Sequence, residues 1–281
     1  MELVSFRKTA ERYSVICLDA YGVLRSSTGL IDGALDTVKW LIEEGKEVFV
    51  VTNDSSRSPE SMAERYAEQA GTELLAADRY ISSGLLASQY IERQIPYGKV
   101  AYLGKPESAH YIEIAGKIPV PVAQCTAKDH IVAIVLLDDE GFDWFRDVNA
   151  TLNLIRQVNV PVVVANADIT YPMRGNDIAI AVGSLGGLLS SITEKTFVRF
   201  GKPDSMMFDY ALTRAREVRP KVTKRDVLFV GDTLRTDIIG ANTFGFDTTL
   251  VLSGNTLPDT ADLMIRASGI IPTYISQSIA L

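Results

Sequence analysis

The sequence is poor in cysteine, has no long apolar run and carries no excess of positive charge. Two cysteines, Cys17 and Cys125, are too few for a disulfide framework or a structural zinc site. No apolar stretch approaches the roughly 20 residues that span a bilayer, and the first residues lack the apolar core of a signal peptide. The formal net charge of −7 argues against nucleic acid as a partner, because duplex binding depends on neutralising phosphates. These absences predict a cytoplasmic protein with neither a membrane nor a nucleic-acid partner.

The sequence does have the composition of an ordinary globular protein. Its 281 residues, 47% of them hydrophobic and 22% charged, are enough for two domains. Buried strand-like runs alternate with helical patterns nearly throughout. The first strands are predicted at Val15–Ala20 and Glu47–Thr52, with a helix at Gly33–Glu44 between them, and a further helix is predicted at Thr236–Phe244. Because apolar strands that alternate with helices form parallel sheets covered on both faces, the predicted fold is α/β with a doubly wound, Rossmann-like parallel sheet.

Polar residues follow the apolar runs, or precede a helix, in four segments. The segments are Asp19 with its Gly22 turn, Thr52-Asn53, Gly201-Lys202-Pro203, and Gly231–Asp237. In open parallel sheets, ligands bind beyond the carboxyl ends of the strands. All four segments are therefore expected to meet at one crevice.

This ordered set of segments resembles the haloacid dehalogenase superfamily of phosphotransferases, over essentially the whole chain. It is most similar to subclass IIA, the branch of sugar-phosphate and p-nitrophenyl phosphatases with an inserted α/β cap. The resemblance implies a core domain at residues 1–77 and 196–281, and an inserted cap that determines substrate specificity at residues 78–195. It also implies a small phosphorylated metabolite as substrate, and it is compatible with a homodimer.

The resemblance gives each polar residue a role. Asp19 would be the nucleophile that forms an aspartyl-phosphate, while Lys202 would neutralise phosphoryl charge and Thr52 would donate hydrogen bonds. Mg²⁺ would be held by hard oxygen ligands, which are Asp19, Asp232, Asp237 and the backbone carbonyl of Tyr21. The predicted phosphate- or substrate-binding residues are Thr52, Asn53, Lys202, Asn166 and Asp168. Ordinary turns are an alternative interpretation of Asn53, Asn166 and Asp168.

Tyr21 departs from the family's pattern. Typical phosphatases of the family have Asp-x-Asp, in which the second Asp protonates the leaving group and then activates water. A phenol is a poor base at neutral pH, and losing acid–base help costs roughly 10²–10⁴-fold in rate. Three interpretations remain open: a slow or specialised Mg²⁺-dependent phosphohydrolase, a phosphotransferase with a long-lived aspartyl-phosphate, or a binding protein without turnover.

Two further features lie in the predicted cap. The histidines His110 and His130 could replace the missing acid–base group, although a surface or structural role is the simpler interpretation. The acidic run Asp138-Asp139-Glu140 is interpreted as a solvated loop.

Overall fold

The fold consists of two parallel sheets with helices on their faces, in a computed structural model that describes residues 2–26, 28–173 and 177–280. The strands are β1 Val15–Leu18, β2 Arg25–Ser26, β3 Gly29–Leu30, β4 Glu47–Thr52, β5 Tyr80–Ser82, β6 Lys99–Leu103, β7 Ile118–Pro121, β8 Ala133–Leu136, β9 Val162–Val164, β10 Thr170–Pro172, β11 Ile178–Ile180, β12 Val198–Arg199, β13 Val227–Gly231, β14 Asp247–Val251 and β15 Tyr274–Ser276. The predicted α/β class, with a Rossmann-like core and a cap, is confirmed.

The helices alternate with these strands along the chain. They are α1 Phe6–Ala10, α2 Ala34–Glu43, α3 Pro59–Ala70, α4 Ser83–Gln94, α5 His110–Ile114, α6 Trp144–Gln157, α7 Val182–Thr193, α8 Ser205–Val218, α9 Ile239–Phe244 and α10 Pro258–Ser268. Within the described ranges, no helix combines the length and apolarity that crossing a bilayer would require.

The first sheet has the strand order β15-β14-β13-β1-β4-β5, and every neighbouring pair is parallel. Strand β1 is central because all four of its side chains, from Val15 to Leu18, are buried. Burial of an aliphatic side chain contributes roughly 1.5–3 kcal/mol, so this register is strongly favoured. The carboxyl ends of β13, β1 and β4 consequently lie side by side.

The second sheet has the strand order β12-β9-β8-β6-β7 and is also parallel throughout. Its strands come from the middle of the chain, between β5 and β13, which both belong to the first sheet. The chain therefore changes sheets after Ser82 and after Arg199, a few residues beyond the predicted boundaries at 78 and 195.

The helix predicted at Thr236–Phe244 differs from the observed structure at its start. A π-helical turn over Leu234–Ile238 comes first, and α9 follows from Ile239. The carboxylate of Asp237 accepts a hydrogen bond from the Thr233 amide at 3.0 Å, which holds this wider turn against the end of β13. π-Helical turns often occur at functional sites, and this one brings Asp237 into the crevice region.

Candidate active site

Asp19 is fixed at the centre of the crevice by the first sheet. Its amide continues the strand pairing by donating to Val230 O at 2.8 Å. The buried Lys202 ammonium lies 2.6 Å from Asp19 Oδ1 and also donates to the Val51 carbonyl at 3.0 Å. The same ammonium forms an ion pair with Asp237 Oδ1 at 2.7 Å. One lysine therefore links two acids that are distant in the sequence.

Three buried carboxylates, which we call the carboxylate cluster, meet here: Asp19, Asp232 and Asp237. Their ligand oxygens all lie within 4.8 Å of one another. Burial and the neighbouring acids raise the pKa of Asp19 well above its ordinary value, although Lys202 acts in the opposite direction. Burial, together with Asp237, raises the pKa of Asp232 to about 7. Burial alone would lower the pKa of Lys202, but the adjacent carboxylates outweigh it and the pKa is raised.

The carboxylate cluster fits a hard divalent cation. If all three carboxylates are ionised, one protonated lysine leaves excess negative charge in a buried place, where unpaired charge is costly. Asp237 Oδ1 is buried, and its 2.7 Å contact with the Lys202 ammonium does not have hydrogen-bond geometry. All the side-chain donors are carboxylate oxygens, which Mg²⁺ and Ca²⁺ prefer.

Two glycines make room for the Asp232 side chain. A Cβ added at Gly22 would lie 2.1 Å from Asp232 Oδ2, and one added at Gly254 would lie 2.0 Å from it. The Asn255 amide donates to the same oxygen at 2.5 Å, and the Thr233 hydroxyl donates to Oδ1 at 2.9 Å. The orientation of Asp232 is thus set by contacts from two separate loops.

Asn53 joins the first sheet's loops to the second part of the chain. Its side-chain oxygen accepts from the Lys202 amide at 2.7 Å, and its side-chain nitrogen donates to Asp168 Oδ1 at 2.8 Å. The Asp168 amide in turn donates to Asn166 Oδ1 at 2.8 Å. Burial raises the pKa of Asp168 to about 6. Asn53 and Asn166 therefore use side-chain groups to organise the site, whatever they contribute to ligand binding.

All the sequence-predicted site residues except Asp237 line one cavity of about 790 Å³. Thr52 is buried at its floor, and its hydroxyl accepts from the Asp54 amide at 3.3 Å. The Tyr21 side chain is 38% exposed and lies beside the Arg25 guanidinium, which is 5.3 Å from the ring centroid. Such a volume suits a small metabolite, because ligand pockets commonly measure about 300–1,000 Å³.

The structure revises one interpretation of the predicted cap and favours the simpler of the two interpretations of the histidines. The acidic run at 138–140 is not simply solvated, because Asp138 is buried, lines the cavity and has its pKa raised by burial to about 6. The Lys105 ammonium lies 3.8 Å from Asp138 Oδ2 and also pairs with Glu140. Neither histidine lines the cavity within the described residues.

Sequence reasoning missed several polar side chains of the cavity wall. They are Arg25, Arg57, Arg65, Tyr66 and Lys105. They come from separate elements and follow no fixed spacing from the four segments, so only the folded arrangement reveals them.

Comparisons with known proteins agree with this geometry. A model of haloacid dehalogenase-like hydrolases matches residues 16–117, and a second, HAD-hydrolase-like model matches residues 199–280. The crystal structure of a possible sugar phosphatase of the HAD superfamily from Cytophaga hutchinsonii is 44% identical, with a TM-score of 0.94, and the match covers 100% of this chain and 99% of that chain.

Two further relatives are phosphatases. Glycerol-3-phosphate phosphatase from Gallus gallus is 28% identical, over 98% of this chain and 92% of its own length. The p-nitrophenyl phosphatase from Archaeoglobus fulgidus is 25% identical with a TM-score of 0.78, and the match covers 95% of this chain and 97% of that one.

Proposed function

Because the chain belongs to the haloacid dehalogenase-like hydrolase family, we infer that it is a phosphohydrolase or phosphotransferase acting on a small phosphorylated metabolite. The observation that carries this proposal is the carboxylate cluster beside Lys202, at the carboxyl ends of adjacent parallel strands. The phosphatase relatives support the same reaction class.

The reaction would proceed through Asp19. A carboxylate oxygen of Asp19 attacks phosphorus, the bond between phosphorus and the ester oxygen breaks, and the ester oxygen leaves with the bonding electrons. Water then attacks the aspartyl-phosphate and releases inorganic phosphate, which regenerates the Asp19 carboxylate. Lys202 remains protonated beside Asp19 and stabilises the negative charge of the transferring group, while Thr52 donates a hydrogen bond to it.

The cation proposed for the site is Mg²⁺, held by Asp19, Asp232, Asp237 and the Tyr21 backbone carbonyl. When bound, it would neutralise the repulsion between a dianionic phosphate and the nucleophile. The Mg²⁺ proposal rests on the all-oxygen donor set and on the excess negative charge of the carboxylate cluster.

Tyr21 restricts the kinds of ester that would react quickly. No carboxylate follows Asp19 at the second position of the turn, so protonation of the leaving oxygen lacks its usual donor. Alkoxide leaving groups need that proton most, whereas a nitrophenolate or an acyl group leaves without it. We therefore expect hydrolysis of p-nitrophenyl phosphate or acetyl phosphate to be faster than hydrolysis of glycerol 3-phosphate.

The test is phosphate release from these three compounds with Mg²⁺ or with EDTA. We expect Mg²⁺-dependent turnover that Asp19→Asn abolishes and that Asp209→Asn, an exposed acid on α8, leaves unchanged. Turnover that survives Asp19→Asn would contradict the assignment of the nucleophile. If a phosphate ester raises the melting temperature only with Mg²⁺ and is never consumed, the protein is a binder without turnover.

A further inference from the structure

Three arginines line the active-site cavity, and we call them the arginine cluster: Arg25, Arg57 and Arg65. Arg25 lies in β2, Arg57 in the loop after β4, and Arg65 in α3. Three elements thus each contribute one guanidinium to the cavity wall. The phosphate-transfer roles proposed above use none of them.

All three arginines line the same cavity, and among the described residues none of them forms an ion pair with an acid. Burial lowers the pKa of Arg65 most, and the positive charges of Arg25 and Arg57 lower it further. Within the described chain, the arginines that form ion pairs are others: Arg7, Arg79, Arg146, Arg214, Arg219 and Arg266. The arginine cluster is therefore a concentration of positive charge with no ion-paired acid in the described part of the chain, in a protein whose net charge is −7.

Two buried hydrogen-bond donors at the same wall also lack partners. The Tyr66 side chain is only 5% exposed and lines the cavity, yet its hydroxyl has no hydrogen-bond partner among the described residues. Arg25 Nε is likewise buried and unpaired within that part of the chain. Buried polar groups are nearly always hydrogen-bonded in proteins, so these donors indicate a ligand acceptor.

Among the described residues, none of the acids that line the cavity forms an ion pair with the arginine cluster. Asp54 Oδ1 accepts from the amide and the hydroxyl of Ser56, both at 2.7 Å. Asp138 and Glu140 pair with Lys105, and Asp139 accepts from the Tyr171 hydroxyl at 2.9 Å.

We propose that the arginine cluster and the Tyr66 hydroxyl form a subsite for a second anionic group of the substrate, a carboxylate or a further phosphate. This inference rests on the proposed function, in which Asp19 and Lys202 engage the phosphoryl group that is transferred. The second group would belong to the part of the ester that is released. Guanidinium groups suit such a ligand because their planar donors match carboxylate and phosphate oxygens.

The test compares pairs of esters that differ in one anionic group. Glycerol 3-phosphate and 3-phosphoglycerate differ by a carboxylate, and fructose 6-phosphate and fructose 1,6-bisphosphate differ by a phosphate. Affinity is measured by calorimetry with Mg²⁺ in the Asp19→Asn protein, where no turnover interferes, and kcat/KM is measured in the wild type. We expect the more anionic member of at least one pair to bind about tenfold or more tightly, since a desolvated charge pair is worth at least that factor.

Variants then assign the preference to the arginine cluster. Arg57→Gln and Arg65→Gln are each expected to lower the ratio of affinities within the preferred pair by about tenfold. Tyr66→Phe is expected to lower it less, because it removes a donor and no charge. The control is Arg93→Gln, an exposed arginine at the end of α4 that does not line the cavity, and it should leave the ratio unchanged. The pair that responds distinguishes a carboxylate ligand from a phosphate ligand.

Two results would overturn the inference. One is equal affinity for both members of both pairs. The other is an equal loss of affinity for the less anionic and the more anionic member in the arginine variants, which would place the arginines on the transferred phosphate. Thermal unfolding of each variant shows that it is folded. If the preference is present but no ester is hydrolysed, only the proposed function fails. If p-nitrophenyl phosphate is hydrolysed through Asp19 and no preference exists, only this inference fails.

Discussion

Mg²⁺ is expected to stabilise this protein far more at alkaline pH than at acid pH, and the carboxylate cluster is the reason. Asp232 is almost completely buried, and its pKa rises from 3.8 to about 7 in the folded protein without metal. The metal-free folded state therefore retains a proton that the unfolded chain releases. When the pKa of a carboxyl group is raised on folding, the stabilisation is fully present below the pKa of the unfolded chain. It is lost as the pH rises through the pKa of the folded protein.

The size of this loss follows from the shift. Each pKa unit is worth about 1.4 kcal/mol, so ionising Asp232 alone removes on the order of 4 kcal/mol from the free energy of unfolding. Asp19 shifts in the same direction. A bound cation replaces the protons on these carboxyl groups, so the affinity for the metal rises as the pH rises and the protons are released. At a Mg²⁺ concentration of about 100 times Kd the gain is about 2.7 kcal/mol, or about 5–10 °C in Tm for a chain of this size.

The assay is thermal unfolding with EDTA or Mg²⁺, at about pH 5.5 and about pH 8, on either side of the Asp232 pKa. We expect a shift of several degrees at the higher pH and almost none at the lower. Asp232→Asn should abolish the Mg²⁺-dependent shift, whereas the exposed Asp209→Asn should retain it. An equal shift at both pH values, or one that survives Asp232→Asn, would refute the reasoning.

Three further predictions concern single positions. Tyr21→Asp should raise kcat on glycerol 3-phosphate by about 10²-fold or more, with a much smaller gain on p-nitrophenyl phosphate; equal gains would show that protonation of the leaving group is not limiting. Gly254→Ala would place a Cβ 2.0 Å from Asp232 Oδ2 and should remove the Mg²⁺-dependent Tm shift, whereas Gly187→Ala, whose Cβ meets no atom closer than 3.8 Å, should keep it. Asp138→Asn should raise the free energy of unfolding at about pH 8 by on the order of 2–3 kcal/mol, because the buried carboxyl loses stability between its unfolded pKa and about 6; denaturant titrations in which both proteins show the same pH dependence would contradict this.

The sequence was sufficient to predict the fold class because central strands such as β1 and β13 are apolar along their whole length. Strand β4 is buried from Val48 to Thr52, and its predicted bounds match the observed ones. Ser58 caps α3, and its hydroxyl accepts from the Ser61 amide at 3.2 Å. Short-range patterns of this kind reflect the local backbone geometry and the period of burial.

Features that depend on contacts between distant segments were not predictable. The acidic run at 138–140 has the composition of a solvated loop, and only its packing over the cavity buries Asp138. The arginine cluster likewise arises because β2, the loop after β4 and α3 face the same space. The roles of Asp19, Asp232 and Lys202 remain predictions, although their convergence followed from one rule about strand ends.

The missing acid at position 21 and the unpaired arginines are connected through Arg25. Its guanidinium lies 5.3 Å from the centroid of the Tyr21 ring, so we expect a carboxylate at that position to lie near it and to offset its positive charge. An uncharged residue at 21 leaves the positive charge of Arg25 available to a ligand, at the expense of acid–base help. The Tyr21→Asp variant should therefore affect two esters unequally, since it supplies a proton donor to both and offsets a cation that only the ester with a second anionic group uses. Its gain in kcat/KM should be larger for glycerol 3-phosphate than for 3-phosphoglycerate. The reverse order would show that the residue at position 21 and the charge of Arg25 are not connected in this way.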